Sequence, residues 1–259
     1  MVCAVEEHGH NIGFGIDIGG SGIKVGRVDL DTGELVGERI KILTPKKATP
    51  KNVVPIITEI LQQAEWSGPF GCTFPGVVRH GVLYSAANLG KVWIGLHLEE
   101  ELHATTGLPV LVLNDADAAG IAEVRFGAAK GRDGVVVLTT LGTGIGTAVI
   151  TDGKLLPNTE FGHLQLHGDS AEKYAASSAK DREKLSYPDW AKRLQEYYSH
   201  LEFLISPDVI IVGGGISRKS EKFLPLLSTE AEIIPAELRN TAGIVGAAVM
   251  ADERFIQSG

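Results

Sequence analysis

Cysteine is scarce in this chain: Cys3 and Cys72 are the two present among 259 residues. So few and so far apart, they exclude a disulfide framework and a cysteine-rich metal site, and they suit a reducing compartment. Positive charge is also short, with 24 lysines and arginines against 32 aspartates and glutamates, a net charge of -8. An acidic surface repels phosphate, so nucleic acid and anionic membrane are not expected as partners, and any polyanionic ligand needs a local basic patch. No apolar run approaches the roughly 20 residues that span a bilayer; the runs are strand-length pieces such as 135–138. Residues 1–11 have neither the basic start nor the apolar stretch of a secretion signal. A soluble, cytoplasmic protein is the expectation. Glycine, by contrast, is abundant at 32 residues, so turns that need uncovered or left-handed backbone should matter more than usual.

The hydrophobic pattern alternates between strand and helix. Apolar runs at 12–18 and 23–30, joined by a glycine turn and followed by Asp31-Thr32-Gly33 and a third run, predict a three-stranded antiparallel meander. Thr49-Pro50 opens a stretch in which Val53, Ile56, Ile57, Ile60, Leu61 and Ala64 share one face, the signature of a helix. Strands are predicted at 70–74 and 77–83 around Pro75-Gly76, then a helix over 98–105, a strand at 110–113 and a helix over 116–126. A second set repeats the opening: a strand at 135–140, a glycine turn at 142–146, then 147–150 and 154–156. Two meanders with glycine-rich first hairpins are the pattern of a duplicated lobe. A helix over about 188–204, a strand at 209–212, the triplet Gly213-Gly214-Gly215 and an Ala/Gly-rich helix from Thr241 complete the chain, with no low-complexity linker.

Several segments can carry chemistry. Asp17-Ile18-Gly19-Gly20-Ser21-Gly22-Ile23-Lys24 lies where the first strand turns into the second. Its glycines permit positive φ and leave N–H groups uncovered, which suits a phosphate as well as it suits a plain hairpin. Asp17 at the strand end suits Mg²⁺ held through water. Leu141-Gly142-Thr143-Gly144-Ile145-Gly146 is a second such loop, with the Thr143 hydroxyl as an added donor. As a dinucleotide fingerprint it fails, because the glycine spacing is wrong and a strand follows. Gly213-Gly214-Gly215-Ile216-Ser217 runs from a buried strand towards a predicted helix, where amides and a helix N-terminus favour a nucleotide, unless the glycines serve packing alone.

Asn114-Asp115 precedes a helix that either Asp115 or Asp117 can cap; if Asp117 does so, Asp115 is free to face a cleft. Glu160-Phe161-Gly162-His163 offers a carboxylate and an imidazole to vicinal hydroxyls, although a lone histidine is more often structural. His163 and His167 have no nearby cysteine to complete a zinc tetrahedron, and the alternation of Leu164 and Leu166 reads as strand. Lys46, Lys47 and Lys51 form a small basic cluster, by default a solvated loop and otherwise a site for a polyphosphate tail.

In this order the segments resemble the ROK sugar kinases within the actin, Hsp70 and hexokinase superfamily. Residues 17–24 resemble its first phosphate motif, 141–146 its second and 209–217 its adenosine motif, while Asn114-Asp115 and Glu160 to His163 resemble the sugar-site motifs. Residues 13–24, Thr44-Pro45 and Ala48-Thr49-Pro50 resemble the polyphosphate-using branch, and the absence of a cysteine cluster after His163 removes zinc from the expected cofactors. The resemblance implies an α/β, two-lobed actin-like (ribonuclease H-like) fold, each lobe a mixed sheet with flanking helices and a cleft between them. It implies a small lobe over 1–112, a large lobe over 113–242 and a last helix, 243–259, packing back on the small lobe.

The implied reaction moves a phosphoryl group from ATP or inorganic polyphosphate, with Mg²⁺, to the 6-hydroxyl of glucose and also mannose. Asp115 would be the general base, and Asn88, Asn114, Glu160 and His163 would hold the sugar. Asp17, Gly19, Gly20, Ser21, Gly22, Lys24, Thr140, Gly142, Thr143, Gly144, Gly213, Gly214 and Gly215 would hold the phosphates and nucleotide, in a monomer or homodimer. A kinase for N-acetylmannosamine or fructose is the nearest alternative. A sugar-responsive regulator is another, but it needs a DNA-binding region that eleven polar residues before the first strand would not supply.

Overall fold

The computed structural model describes residues 11–87 and 89–257. Its two large sheets are built alike. β1 (Ile12–Ile18) and β2 (Ile23–Asp29) pair antiparallel with Asp17 opposite Lys24, and β3 (Leu35–Ile42) forms the edge after a register shift between Val25 and Arg27. β4 (Phe70–Phe74) joins β1 in parallel, and β7 (Val110–Asn114) joins β4, giving the order β3-β2-β1-β4-β7. The second sheet repeats this plan. β8 (Val135–Leu141) and β9 (Ile145–Thr151) make the hairpin, β10 (Lys154–Leu156) the edge, and β13 (Val209–Gly213) and β14 (Glu232–Pro235) the parallel half, in the order β10-β9-β8-β13-β14.

Two small hairpins stand apart from these sheets, β5 (Val78–Arg79) with β6 (Val82–Leu83), and β11 (Gln165–Leu166) with β12 (Asp169–Ser170). The single strand expected over 77–83 is therefore broken. His80 and Gly81 turn it at φ 51° and 75°, and the flanking apolar residues hid that turn. The strand expected around Leu164 and Leu166 shrinks to two residues, because Phe161–His163 forms a 3₁₀ turn that Leu164 closes.

The helices follow their apolar stripes. α1 (Pro50–Gln63) starts on proline and buries Val53, Val54, Ile57, Ile60 and Leu61 against the first sheet, beside α2 (Leu98–Thr106). α3 is Asp115–Phe126; α4 (Ala171–Ala175) and α5 (Ser177–Arg182) are short; and α6 (Tyr187–Ile205) covers the second sheet with Trp190, Leu194, Tyr197 and Tyr198.

α7 (Ala242–Asp252) has no polar face and is buried, as a helix apolar all round must be. It lies over β1 and β4 and against α3 at backbone distance: a Cβ on Gly15 would fall 1.9 Å from the Ile244 carbonyl oxygen, and one on Gly71 1.9 Å from that of Ala247. No helix among the described residues is long and apolar enough to cross a membrane.

Candidate active site

β7 ends and α3 begins at the pair Asn114-Asp115, and the capping group is Asn114. Its Oδ1 accepts the N–H groups of Ala116 (2.8 Å) and Asp117 (3.1 Å), and its Nδ2 donates to the Gly76 carbonyl (3.0 Å). The competition expected between Asp115 and Asp117 is won by neither, since asparagine caps as well as aspartate and stands at the junction itself. The second N–H of its amide has no partner among the described residues.

Asp115 is correspondingly released. One of its oxygens accepts the Ala116 N–H (2.9 Å), and the carboxylate looks into a cavity of about 250 Å³ shared with Asp17, Lys24, Thr140 and the glycines at 213–215. Asp115 is exposed to solvent at the cleft, while protein is packed densely behind its carboxyl. That desolvation, then the charge of Asp17 and more weakly that of Glu160, raises its carboxyl to about 7, against the two N–H groups that pull the other way. Asp117 faces inward: its Oδ2 accepts the Asn158 N–H (2.8 Å), its Oδ1 has no partner among the described residues, and burial chiefly raises it to about 7 as well.

The three glycine segments reach the cleft by different means. Asp17 ends β1 with both oxygens engaged, Oδ2 by Lys24 Nζ (2.6 Å) and Oδ1 by the Thr73 hydroxyl (2.9 Å), and the β1–β4 register sets Thr73 beside it. The turn is closed by Gly19 N–H to the Gly22 carbonyl (3.0 Å) and tethered by the Thr44 hydroxyl to the Gly19 carbonyl (2.5 Å). Gly20 and Ser21 form its exposed tip. Gly142, Thr143 and Gly144 are braced from behind, with Ser177 Oγ donating to the Gly142 carbonyl (3.0 Å) and Ser178 Oγ to that of Thr143 (2.6 Å).

The positive φ that glycine permits is not used at Gly19, Gly22, Gly142 or Gly144, and among the glycines of the three segments Gly214 alone has it (φ 84°). Room is what glycine provides elsewhere: a Cβ on Gly22 would meet Lys41 at 2.8 Å, and one on Gly144 the Glu172 carboxylate at 2.2 Å. The α-helix expected after 213–215 is a 3₁₀ segment, Gly215–Lys222, broken at Lys219, because Ser217 Oγ folds back onto the Gly214 carbonyl (2.8 Å). It brings exposed backbone to the cavity rather than a helix dipole.

Glu160 and His163 sit beside each other (3.6 Å), and His163 also faces Glu172 (3.7 Å). Burial chiefly raises the Glu160 carboxyl, with His163 opposing and Glu172 adding. The pair lies outside the lining of the Asp115 cavity, yet Glu160 is near enough to perturb Asp115 and Asp117. Asn88 lies outside the described residues. His167 pairs with Glu196 (2.7 Å), and no group of three or more metal-ligating side chains is found among the described residues.

Three residues absent from the sequence reading organise the site. Thr73 fixes Asp17. Asn158 joins the two halves of the cleft, pairing through its amide with both backbone groups of Val78 (2.8 Å each) while its own N–H reaches Asp117. Glu123, fully buried on α3, accepts N–H groups from Ala128 (2.9 Å), Glu237 (3.1 Å) and Leu238 (2.8 Å) and so holds the far wall of the cavity. A polar residue inside an apolar run was the available signal for Thr73 and Glu123. Thr73→Val removes one buried hydrogen bond to Asp17; we expect kcat to fall about tenfold, the worth of one such bond. Thr73→Ser should restore it, and steady-state kinetics of both variants provide the check.

Residues 13–179 match the family model described as "ROK family". A polyphosphate glucokinase of Mycobacterium tuberculosis is 56% identical over 238 residues, 92% of this chain and 90% of that one. The crystal structure of an inorganic polyphosphate/ATP-glucomannokinase from Arthrobacter sp. strain KM superposes with a TM-score of 0.88 at 48% identity, covering 94% of this chain and 99% of that one. A ROK family glucokinase from Streptomyces griseus, solved with glucose and AMPPNP, gives a TM-score of 0.79 at 26% identity, covering 94% and 100%. With its two like sheets flanked by helices in the two-lobed, actin-like arrangement of these kinases, the chain belongs to the ROK family.

Proposed function

We propose that this chain phosphorylates the 6-hydroxyl of glucose, and also of mannose, with inorganic polyphosphate or ATP as donor. The observation that carries the reading is Asp115, uncapped, raised to about 7, and set in one cavity with Asp17, Lys24 and the glycines at 213–215. Relatives named for this chemistry that cover more than nine-tenths of the chain support it.

Asp115 accepts the hydroxyl proton as the sugar oxygen attacks the terminal phosphorus, and the electrons of the broken P–O bond leave with ADP or the shortened polyphosphate. The second amide N–H of Asn114, with Glu160, His163 and Asn88, orients the other hydroxyls. Lys24, the loops at 19–22 and 142–144, the hydroxyls of Thr140 and Thr143 and the backbone at 213–215 align the donor, which is most of what phosphoryl transfer asks of a protein.

Asp17 shares the cleft with Asp115, and no group of three or more metal-ligating side chains is found among the described residues, which fits an ion bound by one or two carboxylates together with phosphate oxygens. Mg²⁺ would be held there by Asp17 and the donor and would neutralise phosphate charge. No zinc is part of the scheme. The enzyme is placed in the cytoplasm as a monomer or homodimer, with a small lobe over 1–112 completed by 243–259 and a large lobe over 113–242.

The test is a panel of glucose, mannose, fructose and N-acetylmannosamine incubated with ATP and with polyphosphate in parallel. Glucose 6-phosphate and mannose 6-phosphate are expected with both donors. No sugar phosphate from either donor would refute the reading.

A further inference from the structure

A second cavity, of about 550 Å³, adjoins the one that holds Asp115 and is bordered by residues of the Ser217–Glu221 stretch and the end of β14. Arg218, Ala236 and Arg239 line both this outer cavity and the inner one that holds Asp115. The two charged side chains at the junction are thus both guanidinium groups. Both are exposed, and neither has a hydrogen-bond or ion-pair partner among the described residues.

Their supports are internal to the fold. The Arg239 loop hangs from the buried Glu123 carboxylate through the N–H groups of Glu237 and Leu238, and the Arg218 segment is pinned where Ser217 folds back onto Gly214. The other basic groups nearby are differently placed. Arg132 borders the outer cavity but is committed to Glu232 (2.9 Å for one of its two contacts), and Lys46, Lys47 and Lys51 line neither cavity. Glu221 and Glu237 border the outer cavity alone.

Resting on the function proposed above, we infer that Arg218 and Arg239 form a throat through which linear polyphosphate leaves the transfer site, gripping the phosphate residues beyond those held by the glycine loops. The chemistry separates the two donors. A nucleoside triphosphate ends its charge at the third phosphate and presents an uncharged base and sugar farther out. Polyphosphate carries charge at every residue, so it alone continues to meet the two cations in the throat and beyond. The planar guanidinium fork matches phosphate oxygens two at a time, and solvent-facing arginines with no partner among the described residues give up little to make that contact.

The experiment compares wild type, R218A/R239A and K46A/K47A by titration with inorganic polyphosphate in the absence of sugar, and by KM for polyphosphate and for ATP with glucose. Arginine removal should weaken polyphosphate binding and raise its KM at least about tenfold, the loss expected of one charge-assisted contact. The KM for ATP should rise several-fold less, and the salt dependence of polyphosphate binding should flatten. Equal effects on the two donors, wild-type affinity in R218A/R239A, or a loss confined to K46A/K47A would each overturn the throat. Failure of the function itself reads differently: wild type then makes no sugar phosphate with either donor, while the titration still reports on the arginines, and wild type that does not bind polyphosphate overturns them directly.

Discussion

Asp115→Asn lowers kcat by about 10²- to 10⁴-fold, the contribution of a positioned base, while glucose still binds. The variant keeps the shape of the side chain and the oxygen that accepts the Ala116 N–H, so the start of α3 is undisturbed. The wild-type pH profile carries the matching signature. Desolvation by the protein packed behind it, then Asp17 and more weakly Glu160, raise this solvent-facing carboxyl to about 7, and only its ionised form takes a proton. kcat/KM therefore climbs as pH rises through about 7 and falls tenfold per unit well below it, and the asparagine variant has no such limb.

Stability runs the other way. A carboxyl whose folded pKa lies above its unfolded value is favoured while protonated, so its contribution is present in acid and is lost as pH rises towards about 7. Asp115→Asn should thus melt no lower than wild type at alkaline pH. An ascending limb that survives in the variant, or a variant that loses activity only by unfolding, would remove Asp115 from the role of base.

Gly246→Val costs about 3 kcal/mol of stability or more, the upper range for overpacking, and the loss is steeper in activity than in fold. A Cβ at 246 falls 1.8 Å from the Ala118 carbonyl oxygen and 2.4 Å from its carbon. Both atoms are backbone, so α7 and α3 must separate. Since α3 begins at Asp115, the displacement reaches the cleft floor. Gly107→Ala provides the contrast: it has open space around it but sits at φ 72°, and its cost is the smaller one, about 1 kcal/mol, of a left-handed residue. Urea unfolding followed by circular dichroism, with activity measured on the folded fraction, separates the two. A Gly246→Val protein as stable as Gly107→Ala would show that the helices slide apart freely.

Much of this molecule is legible along the chain. Both meanders announce themselves by apolar runs that stop at glycine turns, and α1 by its one-sided spacing. The pairing Asp17 with Lys24 follows from the hairpin alone. What misled the reading was local: His80-Gly81 turned a run taken as one strand, and Ser217 closed a 3₁₀ turn where a helix was expected. Asn114 took the cap because asparagine and aspartate are nearly equal at that position, and the junction fell one residue earlier.

The residues that complete the site were invisible for another reason. Thr73 acts on a group 56 positions away, Asn158 on one 80 away and Glu123 on one 115 away, and no window of sequence contains both partners. The chain by itself determined the kind of strand, turn and helix at each point, because those depend on side-chain spacing and on glycine within a few residues. Only the folded molecule decided which carboxylate faces the cleft, which ones are spent holding backbone, and where two arginines with no partner among the described residues line the same two cavities. Those outcomes depend on burial and on hydrogen-bond partners that distant segments bring together.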